Sequence, residues 1–516
     1  MKVYFDAPTA EQSGYGQAHL ECKECRDCGP VIDVHRATVL PLSENDRYLV
    51  RIAVLQHMSV LHIQPITEEH WMICNPVGQG QVVVLDNEAY MLFMLFSVPT
   101  VLSVMYERFA NKSASTIESI VALFYKLGLL YDVNMPNGAI ALNDAQTLVA
   151  WLHITNACNL RCNYCYLQKN HESMSSETSE RAIDAVFRSA LKHDIRKVQL
   201  KYAGGEASLL IEQVIALHDY AIKKAFDYKI AIEAFIMTNG VFLAHKSIES
   251  LQERNVGVMI SIDGVGSYHD RQRPFVNGKG SFKYIDRTIQ KLLTHGIAPS
   301  LSVTVSQRNL AGLPQLIEYI LERDLPFSLN YYRENVYSSH LSDLLFTEQQ
   351  MINTMRSVFH LIEQNLPARS LLNSLLDKAN MQALRHHTCG VGQNYLVIDQ
   401  HGGVAKCQAD IQRTVTTIDH DDPLQAIRVD QKGVMGLPVH EKEGCRDCEW
   451  RYWCTGGCPL LTYRATGRYD IKSPNCAIYK ALFPDVLRLE ALRLLIYHAP
   501  LSFEERNAVC QSLSFS

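Results

Sequence analysis

The sequence predicts an α/β fold built around a partial, TIM-like (β/α)6 barrel, on three observations. Residues 148–335 alternate short apolar runs with longer amphipathic stretches. Three cysteines, Cys158, Cys162 and Cys165, directly follow the first apolar run. Glycine-containing polar signatures close the second, third and fourth runs. The expected strands are 150–155, 198–202, 231–238, 256–262, 300–305 and 327–332, with helical stretches such as 177–192, 210–224 and 281–295 between them. Such alternation reads as βαβ units on a parallel sheet. Parallel α/β folds place chemistry at the C-terminal ends of strands, where the cysteines and the glycine signatures fall.

The 516 residues suit about three domains. Net charge is −5 with mixed signs throughout, which argues against nucleic acid or an anionic membrane surface as partner. No run of 18 apolar residues occurs, so no transmembrane helix is expected. The N-terminus lacks the apolar core of a secretory signal. Fifteen cysteines in a chain expected to be cytoplasmic point to metal rather than disulfides.

Cys158, Cys162 and Cys165 are spaced C-x3-C-x2-C in NACNLRCNYCYL. Three thiolates alone cannot complete a four-ligand zinc site, although a zinc knuckle could borrow a fourth ligand. They can hold three irons of a 4Fe–4S cluster and leave the fourth iron open. The second strand runs into Gly204-Gly205-Glu206, where two glycines permit close backbone approach and the glutamate can accept from an ammonium group. The third ends in Thr238-Asn239-Gly240 and the fourth in Ser261-Ile262-Asp263-Gly264. Together with Tyr164 before the last cysteine, these motifs resemble the radical S-adenosylmethionine (SAM) superfamily. That resemblance implies that Cys158, Cys162 and Cys165 hold a SAM-binding cluster. It also implies that Tyr164, Gly204, Gly205, Glu206, Asn239, Ser261 and Asp263 line the cofactor site, with the GGE segment on the methionine amino group and Ser261 and Asp263 on a ribose or methionyl carboxylate. The stretch 269–282, HDRQRPFVNGKGSF, resembles a segment of peptide- and protein-modifying members.

A second constellation follows. Cys389 and Cys407 flank Gly402, then Cys445, Cys448, Cys454 and Cys458 are spaced C-x2-C-x5-C-x3-C, and Cys476 comes last. Two structural zinc sites are the plainer reading of CxxC pairs. The whole pattern resembles the seven-cysteine SPASM extension of radical SAM enzymes. By that resemblance, Cys445, Cys448, Cys454 and Cys476 ligate one auxiliary 4Fe–4S cluster, and Cys389, Cys407 and Cys458 another. No cysteine lies just before Cys389 to complete the latter. His386 and His387 are nearby candidates, more simply read as a solvated pair. An open auxiliary iron would suit a substrate thiolate.

In residues 70–133, two strand-like pieces flank a turn at 78–80, and helical patterns follow around 87–96, 100–109 and 115–127. This order resembles a winged helix-turn-helix of the peptide-recognition type, which would take a leader peptide as an added strand. A DNA-reading winged helix fits poorly, because residues 116–127 carry no arginine. Cys22, Cys25 and Cys28, spaced C-x2-C-x2-C, could hold an extra metal with Cys74 or Cys510 as fourth ligand, or be redox-labile thiols. The expected organisation is therefore 1–60 of unknown role, 61–135 a recognition domain, 145–335 the barrel, 336–384 a helical connector, 385–480 a SPASM domain and 481–516 a C-terminal helix and tail.

The resemblance implies three 4Fe–4S clusters, S-adenosyl-L-methionine, and an electron donor such as flavodoxin or ferredoxin. Reductive cleavage of SAM would give a 5′-deoxyadenosyl radical that takes hydrogen from a substrate, the cofactor supplying the reactivity and the protein the orientation. The implied function is modification of a ribosomally made precursor peptide by crosslink, thioether, epimerisation or excision. Tyr331, Tyr332 and Glu334, after the sixth strand, are candidate substrate-side groups or packing. The alternatives are a sulfatase-type formylglycine maturase and, in another class, a non-catalytic iron–sulfur or zinc scaffold that binds a protein or DNA.

Overall fold

The computed structural model describes residues 1–6, 31–33, 42–78, 80–135 and 147–498. Cys22, Cys25, Cys28 and Cys510, the candidates for an extra metal, lie outside the described residues.

The six expected barrel strands are present: β1 Thr147–Thr155, β2 Lys197–Gly204, β3 Ala231–Thr238, β4 Val256–Ser261, β5 Ser300–Val305 and β6 Phe327–Tyr331. They pair in parallel, each with its sequence neighbour. The connecting helices are α1 Ser176–Lys192, α2 Ile211–Tyr228, α3 His245–Glu253, α4 Phe282–Thr294 and α5 Leu313–Glu322. Helix α1 starts where the Ser175 side chain accepts from the Thr178 amide, a cap that satisfies one of the free N-terminal donors. Its buried face (Ala182, Ile183, Val186, Phe187) meets Leu148, Ala150, Leu152 and Ile154 of β1 in the main core. The alternate residue Trp151 faces the other way, into a concave cluster with Ala203, Val397, Cys165 and Tyr166, as the two-residue strand period requires.

The sheet does not end at β1. Strand β7, Tyr395–Ile398, pairs in parallel with β1, and β8 Gly403–Ala405 and β9 Thr414–Thr417 continue it antiparallel. The full order is β6-β5-β4-β3-β2-β1-β7-β8-β9. Strands from the cysteine-rich segment thus lengthen the barrel sheet beyond its first strand. Gly402 adopts φ +86° in the β7–β8 turn, and a Cβ there would lie 2.8 Å from Ile418.

The segment 336–384 holds a short 3-10 turn at Ser342–Leu344 and one α-helix, α6, Glu348–Gln364; the rest up to β7 is irregular. Helix α7, Cys476–His498, carries Pro484 inside and packs on α6 and on an N-terminal sheet. That antiparallel sheet has the order Val31–Asp33, Lys2–Tyr4, Val82–Asp86, His70–Cys74, His62–Thr67. Its faces divide between two cores. Tyr4, Met72, Cys74, Val82 and Val84 join the main core, while Val3, Phe5, Ile73, Val83 and Leu85 pack under Asn87–Met94, Leu102–Arg108 and Ala114–Lys126. Burial on both faces explains the unbroken apolar run at 82–85. A small sheet, Thr100–Val101 with Val54–His57 and Leu130–Asp132, closes this unit. Cys74 is wholly buried in the main core, and burial pushes its thiol up. Among the described residues no helix is long and apolar enough to cross a membrane.

Candidate functional site

The cysteine loop leaves β1 at Thr155 and is held from two sides. On one side, β2 ends against it. Gly204 has φ +145° and a Cβ there would sit 2.4 Å from the Thr155 carbonyl; one on Gly205 would sit 2.3 Å from that of Ala157. The Gly205 amide donates to the Thr155 carbonyl at 2.6 Å. The two glycines therefore serve the approach of backbone to backbone. On the other side, 271–275 forms a seam: the Arg161 amide donates to the Pro274 carbonyl, the Asn163 amide to that of Gln272, and Asn163 Nδ2 to that of Arg271. Leu160 bridges Phe275. The segment after β4 thus acts as a clamp for the loop.

Glu206 is buried, and its carboxylate accepts from the Ser208 amide (3.1 Å), Thr238 Oγ1 (2.7 Å) and the Asn239 amide (2.6 Å). These bonds tie the end of β3 to the end of β2, so Glu206 has one acceptor site in hand rather than a free carboxylate. Asn239 Nδ2 donates to Asn159 Oδ1 at 2.7 Å and lies 3.8 Å from Cys158 Sγ. The Leu160 amide also points at that sulfur, 3.4 Å away.

Asp263 follows the end of β4 and is enclosed by protein partners. It is 1% exposed, its Oδ2 accepts from Tyr164 OH at 2.5 Å, and its Oδ1 accepts from the Thr304 amide at 2.9 Å. Arg273 donates to Tyr164 OH and lies 3.8 Å from the carboxylate. Burial raises the Asp263 pKa against the pull of Arg273, and burial holds Tyr164 well above the usual phenol range. Asp263 is closed in while Tyr164 is half-buried, and together they lock the cysteine loop to β4. His269 completes the lock. Its Nδ1 accepts from the Asp263 amide and its Nε2 donates to Ser281 Oγ, and burial keeps it neutral. Ser261 is half-buried at the end of β4.

Burial raises the Cys158 and Cys162 thiols, so by themselves they are neutral; an iron–sulfur cluster would take them as thiolates. Trp151 Nε1, on the same concave face, is buried without a partner, as a group that awaits a ligand would be. The donor set fits the implied cluster.

Cys445, Cys448, Cys454 and Cys476 line one recess together with Trp450, Tyr479 and Phe483. Burial pushes Cys445 up to about 11 and Cys454 up to about 12. Cys389, Cys407 and Cys458 gather in a separate small cluster with Val391, Val434 and Leu460. Thr388 joins the two sets, with its Oγ1 donating to the carbonyls of Thr455 and Gly457. Among the described residues no group of three or more His, Cys, Asp or Glu is arranged for a single metal ion. His386 and His387 are not a solvated pair. Both are half-buried, His386 packs edge-on against His440 and Tyr452, and burial brings His387 down to about 4. Tyr331 and Tyr332 are buried, and Tyr331 stacks on Tyr479; Glu334 is exposed.

Three charged residues at these sites escaped sequence reasoning. Arg333 donates to both oxygens of buried Asp377 (2.9 and 2.7 Å). Burial pushes the Cys458 thiol up, but the Arg333 guanidinium wins and holds it below the usual range. Lys442 is buried, with Nζ donating to the Thr455 carbonyl at 2.7 Å. Lys201 lies two residues before Ala203, on the concave face, and burial brings its pKa down to about 8. Of the three, none stands in a recognisable motif.

Residues 152–320 match the sequence profile of the radical SAM superfamily. The chain is 30% identical over 171 residues to uncharacterised protein MJ0907 of Methanocaldococcus jannaschii, covering 33% of this chain and 57% of that protein. It is 27% identical over 269 residues to the antilisterial bacteriocin subtilosin biosynthesis protein AlbA of Bacillus subtilis (strain 168), covering 50% of this chain and 54% of AlbA. The chain thus spans little more than half the length of either relative. Among solved structures, native anSMEcpe with bound AdoMet and Kp18Cys peptide superposes with a TM-score of 0.53 at 17% identity, over 66% of this chain and 99% of that one; this likeness is one of fold.

Proposed function

With residues 152–320 a radical SAM domain, we propose that the chain is a radical SAM maturase that modifies a ribosomally synthesised precursor peptide. One observation carries this reading. The loop bearing Cys158, Cys162 and Cys165 is fixed at the C-terminal ends of β1 to β4 by glycines and buried polar groups that have no other evident task. The relation to AlbA, a bacteriocin biosynthesis protein, supports a peptide as substrate.

Cys158, Cys162 and Cys165 would hold a 4Fe–4S cluster with one open iron, while Ser261, Trp151 and the remaining acceptor site of Glu206 would meet S-adenosylmethionine. When bound and reduced, this pair supplies a 5′-deoxyadenosyl radical able to take hydrogen from an unactivated carbon. Asn239 and the Leu160 amide direct N–H groups at Cys158, and such bonds to a cluster sulfur set its potential. Tyr164, Asp263 and Arg273 keep the loop in one position. Auxiliary clusters would sit on Cys445, Cys448, Cys454 and Cys476 and on Cys389, Cys407 and Cys458, in a SPASM-type segment; a flavodoxin or ferredoxin would supply electrons. The unit around residues 44–132 would take the leader peptide, as a winged helix-turn-helix does. Its outer strand Thr100–Val101 and the exposed Tyr48, Leu49, Ile52 and Val104 supply an edge and an apolar surface.

The test is anaerobic reconstitution, iron and sulfide counting, then reduction with SAM. About twelve irons are expected for three such clusters, with 5′-deoxyadenosine formed. Replacement of Cys158, Cys162 and Cys165 by Ala is expected to remove about four irons and all 5′-deoxyadenosine. Bound zinc without SAM cleavage would overturn the proposal.

A further inference from the structure

Lys442 is a lysine 2% exposed. Its ammonium donates to the Thr455 carbonyl, and among the described residues no carboxylate pairs with it. An ammonium buried without an anion is costly, so the anion it faces has to be sought in its surroundings. Those surroundings are sulfur. The Cβ position of Gly456, which has φ +80°, lies 3.2 Å from Lys442 Nζ and 3.4 Å from Cys445 Sγ, so ammonium and thiol border the same glycine. The thiols that interact with Lys442 are Cys445, Cys389, Cys454 and Cys458, which belong to both cysteine sets and would become thiolates on binding a cluster.

The backbone explains this placement. The Lys442 carbonyl accepts from the Cys445 and Arg446 amides, so the residue opens the turn that carries the first thiol of the four-cysteine recess. Its side chain then crosses to the Thr455 carbonyl, which also accepts from Thr388, next to Cys389. The ammonium therefore rests on the peptide segment that separates Cys454 from Cys458, between the recess and the three-cysteine cluster.

We propose that Lys442 is a positioning residue shared by both auxiliary sites, a single buried cation that balances the charge of the two clusters and raises both reduction potentials. The inference rests on the proposed auxiliary clusters. A reduced cluster carries one more negative charge than an oxidised one, and a nearby cation in a low-dielectric interior favours that state. The same cation stands near both cysteine sets, so its field acts on both potentials in the same direction.

The experiment is a potentiometric titration of the full-length, anaerobically reconstituted protein, followed by electron paramagnetic resonance, on wild type, Lys442→Met and Lys442→Arg. Lys442→Met is expected to move both auxiliary potentials to more negative values and leave the Cys158/Cys162/Cys165 cluster in place; Lys442→Arg is expected to keep them near wild type. Unchanged auxiliary potentials in a fully loaded Lys442→Met protein would overturn the proposal. If Lys442→Met instead loses auxiliary iron while its circular dichroism is unaltered, recovery of that iron in Lys442→Arg supports a charge role, and no recovery overturns it. A wild-type protein with only the barrel cluster would overturn the auxiliary-cluster reading itself, a result the iron count separates from a failure of Lys442.

Discussion

Gly205 leaves no room for a methyl group, because the Ala157 carbonyl occupies the place where its Cβ would be. Backbone cannot yield as a flexible side chain can, so Gly205→Ala should shift the cysteine loop at a cost of about 1–3 kcal/mol, typical of overpacking. The expected readout is a lower melting temperature with barrel iron lost before auxiliary iron. Lys201 is a different case. Its pKa is brought down to about 8 in the fold, against ~10.4 for a free lysine. Between these values the unfolded chain binds the extra proton, so stability rises with pH through that window. Lys201→Met should therefore melt higher than wild type at pH 7, with the gap closing toward pH 10 in melts followed by circular dichroism. Residue identity alone gave the cysteine sites, because spacing is a local property. It could not give Lys201, Arg333 or Lys442, whose burial is decided by strands and turns far away in sequence. Asp263 shows the same limit: its position at a strand end was legible, its enclosure by Tyr164, Thr304 and Arg273 was not.

The seam between 271–275 and the cysteine loop is the element that joins sequence to site. Its Arg273 is buried among Tyr164 and Asp263. Removing only the cation strands a buried carboxylate, so Arg273→Met should cost roughly 3–5 kcal/mol. The double variant with Asp263→Asn should recover part of this, measured by denaturant unfolding as a double-mutant cycle. The six barrel strands were legible because they are short apolar runs bounded by turn residues and separated by amphipathic helices. Strand β7 was not. It has four residues, follows a long irregular stretch, and its pairing with β1 is a tertiary choice that no local pattern records. The N-terminal strands His70–Cys74 and Val82–Asp86 and the three helices after them fell where hydrophobic spacing put them. The partner strands Lys2–Tyr4 and His62–Thr67 carry too little pattern to be read alone.

At the scale of the molecule, the barrel and strands β7 to β9 of the cysteine-rich segment are one sheet. Asn394 Nδ2 donates to the Thr147 carbonyl and the Asn394 carbonyl accepts from the Val149 amide, so β7 is bolted to β1 at its start. Arg188 on α1 adds bonds to the carbonyls of Ile418, His420 and Asp421. A chain cut before residue 385 should therefore not yield an independent barrel. It would present the open edge of β1, and such edges template aggregation. The expected outcome is insoluble or polydisperse protein by size-exclusion chromatography, even with the barrel cysteines intact.

The β1–β7 pairing also sets a clock. Thr147 and Asn394, joined by a hydrogen bond, stand 247 residues apart. A ribosome adding about 5–20 residues per second needs on the order of ten to fifty seconds to bridge that interval. For that time the nascent barrel waits beside the exit tunnel with its first strand uncovered. Synthesis rate and chaperone supply, rather than the stability of the finished fold, should then govern how much of this protein a host can accumulate.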